Sequence, residues 1–174
     1  RPIDLGGYGV TYAYGYDPEG NMFEMEQLDP EPLAQVEAKL RWIDEGHSMW
    51  MTQVALVTHD IERLTNWYAD IMAFMPYRTG DYEGHPRMAE VAGEPYLSLL
   101  ASWFRMDSRA KTIELWQYRD PITPEPTSKK GVTDFGYSYS IEVGDIATEV
   151  GRMSSLGVEF MSEPVNMGEY HQVY

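Results

Sequence analysis

Tyr16-Asp17-Pro18-Glu19-Gly20-Asn21-Met22-Phe23-Glu24-Met25-Glu26 is the stretch on which the reading of this chain turns. It spells a turn that feeds a strand. Pro18 presets the φ of a turn's second position, the Asp17 side chain can bond the turn backbone, and Gly20 and Asn21 tolerate positive φ. Beyond the turn, Met22, Glu24 and Glu26 share one strand face, and Phe23, Met25 and Gln27 share the other. Two carboxylates beside a methionine suit a solvated edge better than a core. On these residues alone the acidic face is expected to point to water.

The segment leading into that turn has a twin. Pro2-Ile3-Asp4-Leu5-Gly6-Gly7-Tyr8-Gly9-Val10-Thr11-Tyr12 matches Pro164-Val165-Asn166-Met167-Gly168-Glu169-Tyr170-His171-Gln172-Val173-Tyr174 without a gap. Similarity at such a distance signals repeated modules rather than a solenoid. The first copy runs on into the Asp17 turn and the Glu24 strand; the second stops at Tyr174. The chain starts at Arg1 rather than Met, so it is expected to be a processed or partial product.

Between the copies lie two strand-helix units. Gln53–Val57 reads as a strand, Asp60 as an N-cap, and Ile61, Leu64, Tyr68, Ile71 and Met75 as the apolar stripe of a helix. Extended pieces are expected at 76–83, 88–93 and 96–105, with His85 in a turn between the first two. A further strand over 112–118 puts Glu114 on one face with Trp116 and Tyr118. After a proline-rich loop the pattern restarts. Tyr137–Val143 alternates as a strand, Asp145 caps a helix with stripe Ile146, Val150, Met153 and Leu156, and Gly157 sits at its C′ position. A last strand is expected over 158–163. Residues 28–50 read as a linker carrying a short helix over 33–43.

Composition narrows the possible partners. With 13 Lys plus Arg against 28 Asp plus Glu among 174 residues, the formal charge is −15. Such a surface repels phosphate backbones and anionic lipid, which argues against nucleic acid and membrane as partners. No apolar run approaches the roughly 18 residues of a spanning helix. The chain has no Cys, so disulfides, thiolate metal sites and a Cys nucleophile are out, and a cytoplasmic setting is expected. Tyr at 13 and Met at 11 are abundant and supply the soft packing that adaptable pockets use.

The order β-α-β-β-β, loop, β-α-β-β resembles the vicinal oxygen chelate superfamily of glyoxalase I, bleomycin-resistance proteins and extradiol dioxygenases. The residues that carry the likeness are Asp17–Glu24, Gln53-Val54-Ala55-Leu56 with Asp60 and Trp67-Tyr68, and Ile113-Glu114-Leu115. The resemblance implies an α+β fold in which paired βαβββ modules form a cup-shaped mixed sheet. It divides the chain into tail strands of a module (1–27), a linker (28–50), and a glyoxalase-like domain (51–174) with modules 51–120 and 136–174. The repeat makes residues 12–27 the best candidate to supply the last strand of the second module, within one chain or by exchange in a homodimer; the alternative is that 1–27 belongs to a preceding module.

Metal positions carry over one at a time. The first-strand position falls on Gln53 and the last-strand position on Glu114. The second module's first-strand position falls on Ser138, where the family usually has His. The fourth falls on Glu24 of the N-terminal copy. Glu114 and Glu24 would then be the catalytic carboxylates. Two carboxylates and an amide suit Mg or Mn, whereas Fe, Ni or Zn would prefer imidazole. Such a metal would polarise adjacent substrate oxygens in a lyase, isomerase or dioxygenase reaction on a small oxygenated molecule. The alternative is a metal-free binding or sequestering module of the bleomycin-resistance type, its cup lined by Trp116, Tyr118, Ser138 and His171.

Overall fold

The computed structural model describes residues 3–4, 11–27, 51–106, 112–126, 128–129, 138–168 and 171–173. Its centre is a four-stranded sheet in which β4 (Gln53–Val57), β7 (Thr112–Asp120), β6 (Ser98–Arg105) and β5 (Arg78–Glu83) lie side by side in that order. β4 runs parallel to β7, and the other pairs are antiparallel. The parallel pair needs a crossover, and α1 (Ile61–Met72) provides the helix of that connection. Asp60 caps α1 by accepting the Arg63 N–H at 3.0 Å, and the Gln117 side chain accepts the Ile61 N–H at 2.9 Å. The helix stops at Ala73, which is left-handed at φ 60°, so Met75 falls outside the stripe expected to reach it.

β6 is buried on both sides and largely apolar, as suits a strand covered on both faces. Phe104 joins Ile113, Leu115 and Tyr68 under α1, while Leu99, Ala101 and Trp103 form a second core on the other, inner face. That inner core is closed at one end by α2 (Pro86–Ala92) through Ala89 and Met88. Residues 88–92 are therefore helical rather than extended, with Gly93 as the cap. His85 caps α2 and accepts the Met88 N–H at 3.4 Å, Pro86 takes the first turn where its missing N–H costs nothing, and Gly93 closes the end at φ 75°.

The hairpin forms as its turn chemistry dictates. β2 (Thr11–Tyr16) and β3 (Met22–Gln27) pair through all six positions, with β1 (Ile3–Asp4) on the far side of β2. Asp17 Oδ1 accepts the N–H groups of Glu19 and Asn21 at 2.9 and 2.8 Å, and Gly20 adopts φ 83°. The repeat shows in the fold as well. Each copy folds back on itself as an antiparallel ribbon, but two residues out of register: Ile3 pairs with Tyr12 in the first copy, and Val165 of β8 (Val165–Asn166) pairs with Gln172 of β9 (His171–Gln172) in the second.

In the second half, α3 (Ile146–Ser155) is capped by Asp145, which accepts the Thr148 N–H at 2.7 Å, and Gly157 follows its end at φ 86°. Arg152 of α3 donates to the carbonyls of Asp70 and Ile71 at the end of α1. Residues 138–143 and 158–163 join no sheet among the described residues. The first of these segments is instead held by side chains, Tyr139 sharing a hydroxyl hydrogen bond with Tyr68 of α1. Tyr137 and the 33–43 helix lie outside the described residues. No helix among the described residues is long and apolar enough to cross a membrane.

Candidate functional site

The inner face of the sheet carries the candidate site. Alternation along β7 sends Glu114, Trp116 and Tyr118 to that face, opposite Trp103, Ala101 and Leu99 of β6. Ala55 of β4 stands beside Glu114 and Gln53 beside Thr112, so Gln53 shares this face, one side-chain step from Glu114. Arg78 and Tyr82 of β5 complete it opposite Trp103 and Leu99. The Arg78 guanidinium lies 3.8 Å from the centroid of the Trp103 ring. Trp103 in turn meets Trp116 edge to face at 5.7 Å.

Glu114 is only 5 % exposed. A carboxylate so deep must be hydrogen-bonded, and both its oxygens are. The Trp103 indole donates to Oε1, and the Trp116 indole donates to Oε2 at 3.1 Å. Burial nevertheless lifts its carboxyl to about 7; the two indoles pull it back, and Glu24 and Glu26 push it further up.

Those two carboxylates arrive on the N-terminal hairpin, and here the structure corrects the sequence reading. The acidic face expected to point to water turns inward, while its apolar opposite is open, with Phe23 46 % and Met25 52 % exposed. Cross-strand register explains the grouping: Tyr14 stands opposite Glu24, and Tyr12 opposite Glu26. Glu26 accepts a hydrogen bond from the Thr52 hydroxyl, next to β4, at 2.7 Å. Glu24 is raised by burial and by Glu26, and lowered by the hydrogen bond from Tyr14. Tyr14 remains 39 % exposed, yet burial of its hydroxyl end, followed by the charge of Glu24, holds its proton tightly. Tyr12 and Tyr118 are raised in the same way, with burial first and the facing carboxylates next.

Three carboxylates therefore converge on one aromatic face. Of the residues singled out in the sequence, Glu24, Glu114, Trp116, Tyr118 and Gln53 come to this region. Ser138 is exposed, beside the tyrosine that bonds α1. His171 is exposed on the β8–β9 ribbon, and among the described residues no interaction links it to Glu114. Sequence reasoning missed Tyr12, Tyr14, Glu26, Trp103 and Arg78. The alternation Tyr12-x-Tyr14-x-Tyr16 was a usable signal for the first two.

The donor set does not fit a bound metal well. Among the described residues no three His, Asp or Glu side chains are grouped so as to hold an ion. Glu114, the carboxylate that the resemblance makes a ligand, accepts one indole N–H on each oxygen. Burial holds its carboxyl up at about 7, so near neutral pH it keeps much of the proton that a metal ligand must lose. Glu24 accepts from Tyr14.

The chain is similar to a solved glyoxalase family protein from Bacillus cereus. The TM-score is 0.58 at 20% identity over 69% of this chain and 80% of that one. At that identity the likeness establishes a glyoxalase-like fold. No protein-family model matches the chain, and no curated protein matches it.

Proposed function

We propose that this glyoxalase-like chain is a small-molecule binding module whose inner aromatic face works without a resident metal. The observation that carries this reading is the double indole cap on Glu114. A metal ligand must be deprotonated, and burial holds the indole-capped Glu114 carboxyl up at about 7. Glu114 instead serves as the buried acceptor that fixes the orientation of two indole rings. Around it the half-exposed rings of Tyr12, Trp116 and Tyr118, with Tyr14, offer an aromatic surface of the kind small-molecule sites use.

The ligand class follows from charge. Glu24, Glu26 and Glu114 outweigh the charge of Arg78 on this face and favour aromatic molecules that are neutral or cationic. Phosphorylated and carboxylate metabolites are disfavoured on the same ground. A homodimer belongs to the same proposal, because the outward Phe23 and Met25 would be covered by a second copy. The lack of Cys supports a cytoplasmic setting.

Equilibrium dialysis against Mn²⁺, Ni²⁺ and Zn²⁺, followed by elemental analysis, tests the metal-free reading. The reading expects no stoichiometric retention. One tightly held ion per chain, lost in Glu114→Ala, would instead establish the metal-dependent lyase or dioxygenase that the resemblance also allows.

A further inference from the structure

One cross-strand row on the inner face runs Arg78, Trp103, Glu114, from β5 through β6 to β7. The two ends of the row hold the middle ring in different ways. Glu114 accepts the Trp103 indole N–H, and the Arg78 guanidinium lies on the ring, 3.8 Å from its centroid. An indole bonded to a carboxylate gains electron density, which strengthens its hold on a cation above it. Trp103 is 3 % exposed, whereas Arg78 is open to solvent. The guanidinium, not the ring beneath it, is therefore what a ligand meets at this point.

Arg78 also lacks the partner that other cations of this acidic chain find. Arg63, Arg87, Arg119, Lys129 and Arg152 each pair with a carboxylate. Among the described residues Arg78 and Arg105 lie on aromatic rings instead, and neither has an ion pair. The Tyr77 ring is farther from Arg78, at 5.9 Å, and is taken up by Arg105 at 4.0 Å. One face of the Arg78 guanidinium is thus held by Trp103, and the side chain is otherwise open. Its charge reaches the Tyr12 hydroxyl of the hairpin, where it opposes the carboxylates.

Given the inner face as an aromatic binding site, on which the inference rests, we propose that Arg78 sets its specificity for electron-rich rings. The open face of the guanidinium carries the ligand ring, in a stack of Trp103, Arg78 and ligand. Cation–π attraction grows with the electron density of the ring, so hydroxyl- and alkoxy-substituted aromatics gain and cyano- or nitro-substituted ones lose. A planar guanidinium can lie flat between two rings, which the compact ammonium of a lysine cannot.

Calorimetric titration of the full chain with 1-methoxynaphthalene and with 1-cyanonaphthalene tests the assignment, since both are neutral and similar in shape. The methoxy compound should bind about 3- to 10-fold more tightly, the value of one cation–π contact. Arg78→Met keeps an apolar stem over Trp103 and removes the cation, so the ratio of affinities should fall to roughly one. Arg105→Met, which loses the matching contact with Tyr77, should leave the ratio unchanged. Equal affinities in the native chain, a preference that survives in Arg78→Met, or one lost equally in Arg105→Met would overturn the role of Arg78 while leaving the binding face intact. Binding of neither compound by the native chain would overturn the inner-face reading and the role of Arg78 with it.

Discussion

Glu24 on the hairpin and Glu114 at the centre of the sheet stand within electrostatic reach of each other. The first is hydrogen-bonded by Tyr14 and the second by two indoles. This meeting of acids makes the hairpin part of the inner face, and it has consequences that can be measured.

Stability should depend on pH through Glu114. Burial first, and then the facing carboxylates, hold its carboxyl at about 7 against an ordinary 4.5. The folded state therefore binds this proton more tightly than the unfolded chain. Its contribution is complete below about pH 4.5 and is lost as pH climbs through about 7, by roughly 3 kcal/mol at most. Urea unfolding across that window should show falling stability in the native chain and a flatter dependence in Glu114→Gln. An unchanged slope in the variant would contradict the assignment.

Trp103→Phe should remove an indole donor and leave Glu114 Oε1 without its buried partner. The expected loss is about 1–3 kcal/mol. Because the indole bond lowers the Glu114 carboxyl, the same change should raise it further. Carboxyl titration by NMR and denaturant unfolding read the two effects separately, and a neutral result in both would show that the cap is not structural.

Ala73 ends α1 at φ 60°, a left-handed position that an L side chain adopts at a cost. Ala73→Gly should therefore stabilise the fold by about 0.5–1 kcal/mol. A lowered thermal midpoint would show that the Ala73 methyl makes contacts worth more than the backbone relief.

Much of the fold was legible because its signals are local. The Asp17 turn and the Asp60 and Asp145 caps depend on side chains bonding backbone within four residues, and all three formed as expected. Pro86 misled, since between Gly84 and Arg87 a proline spells a breaker as readily as the first turn of a helix. The direction of the hairpin could not be read from its own residues; only the resemblance, which put Glu24 among the ligand positions, implied an inward acidic face. Which face of Met22–Gln27 is inside depends on what the strand packs against, and Thr52 and Glu114 are distant in sequence. The Trp103–Glu114 contact was hidden for a related reason, because it needs the register of two strands.

Deleting residues 1–27 tests the hairpin as a unit. Without Glu24 and Glu26 the Glu114 carboxyl should fall toward its ordinary value, and the thermal midpoint should drop. If the hairpin is exchanged between copies, light scattering should show a dimer becoming a monomer. An unchanged midpoint and an unchanged size would make the hairpin a bystander.

The central claim, a metal-free aromatic binding face, is tested most directly by titrating the native chain with 1-naphthol in excess EDTA while following tryptophan fluorescence. The account predicts saturable quenching, weakened in Trp116→Ala, and no response to the anionic 1-naphthoate. Quenching that appears only when EDTA is replaced by Mn²⁺, Ni²⁺ or Zn²⁺ would contradict it.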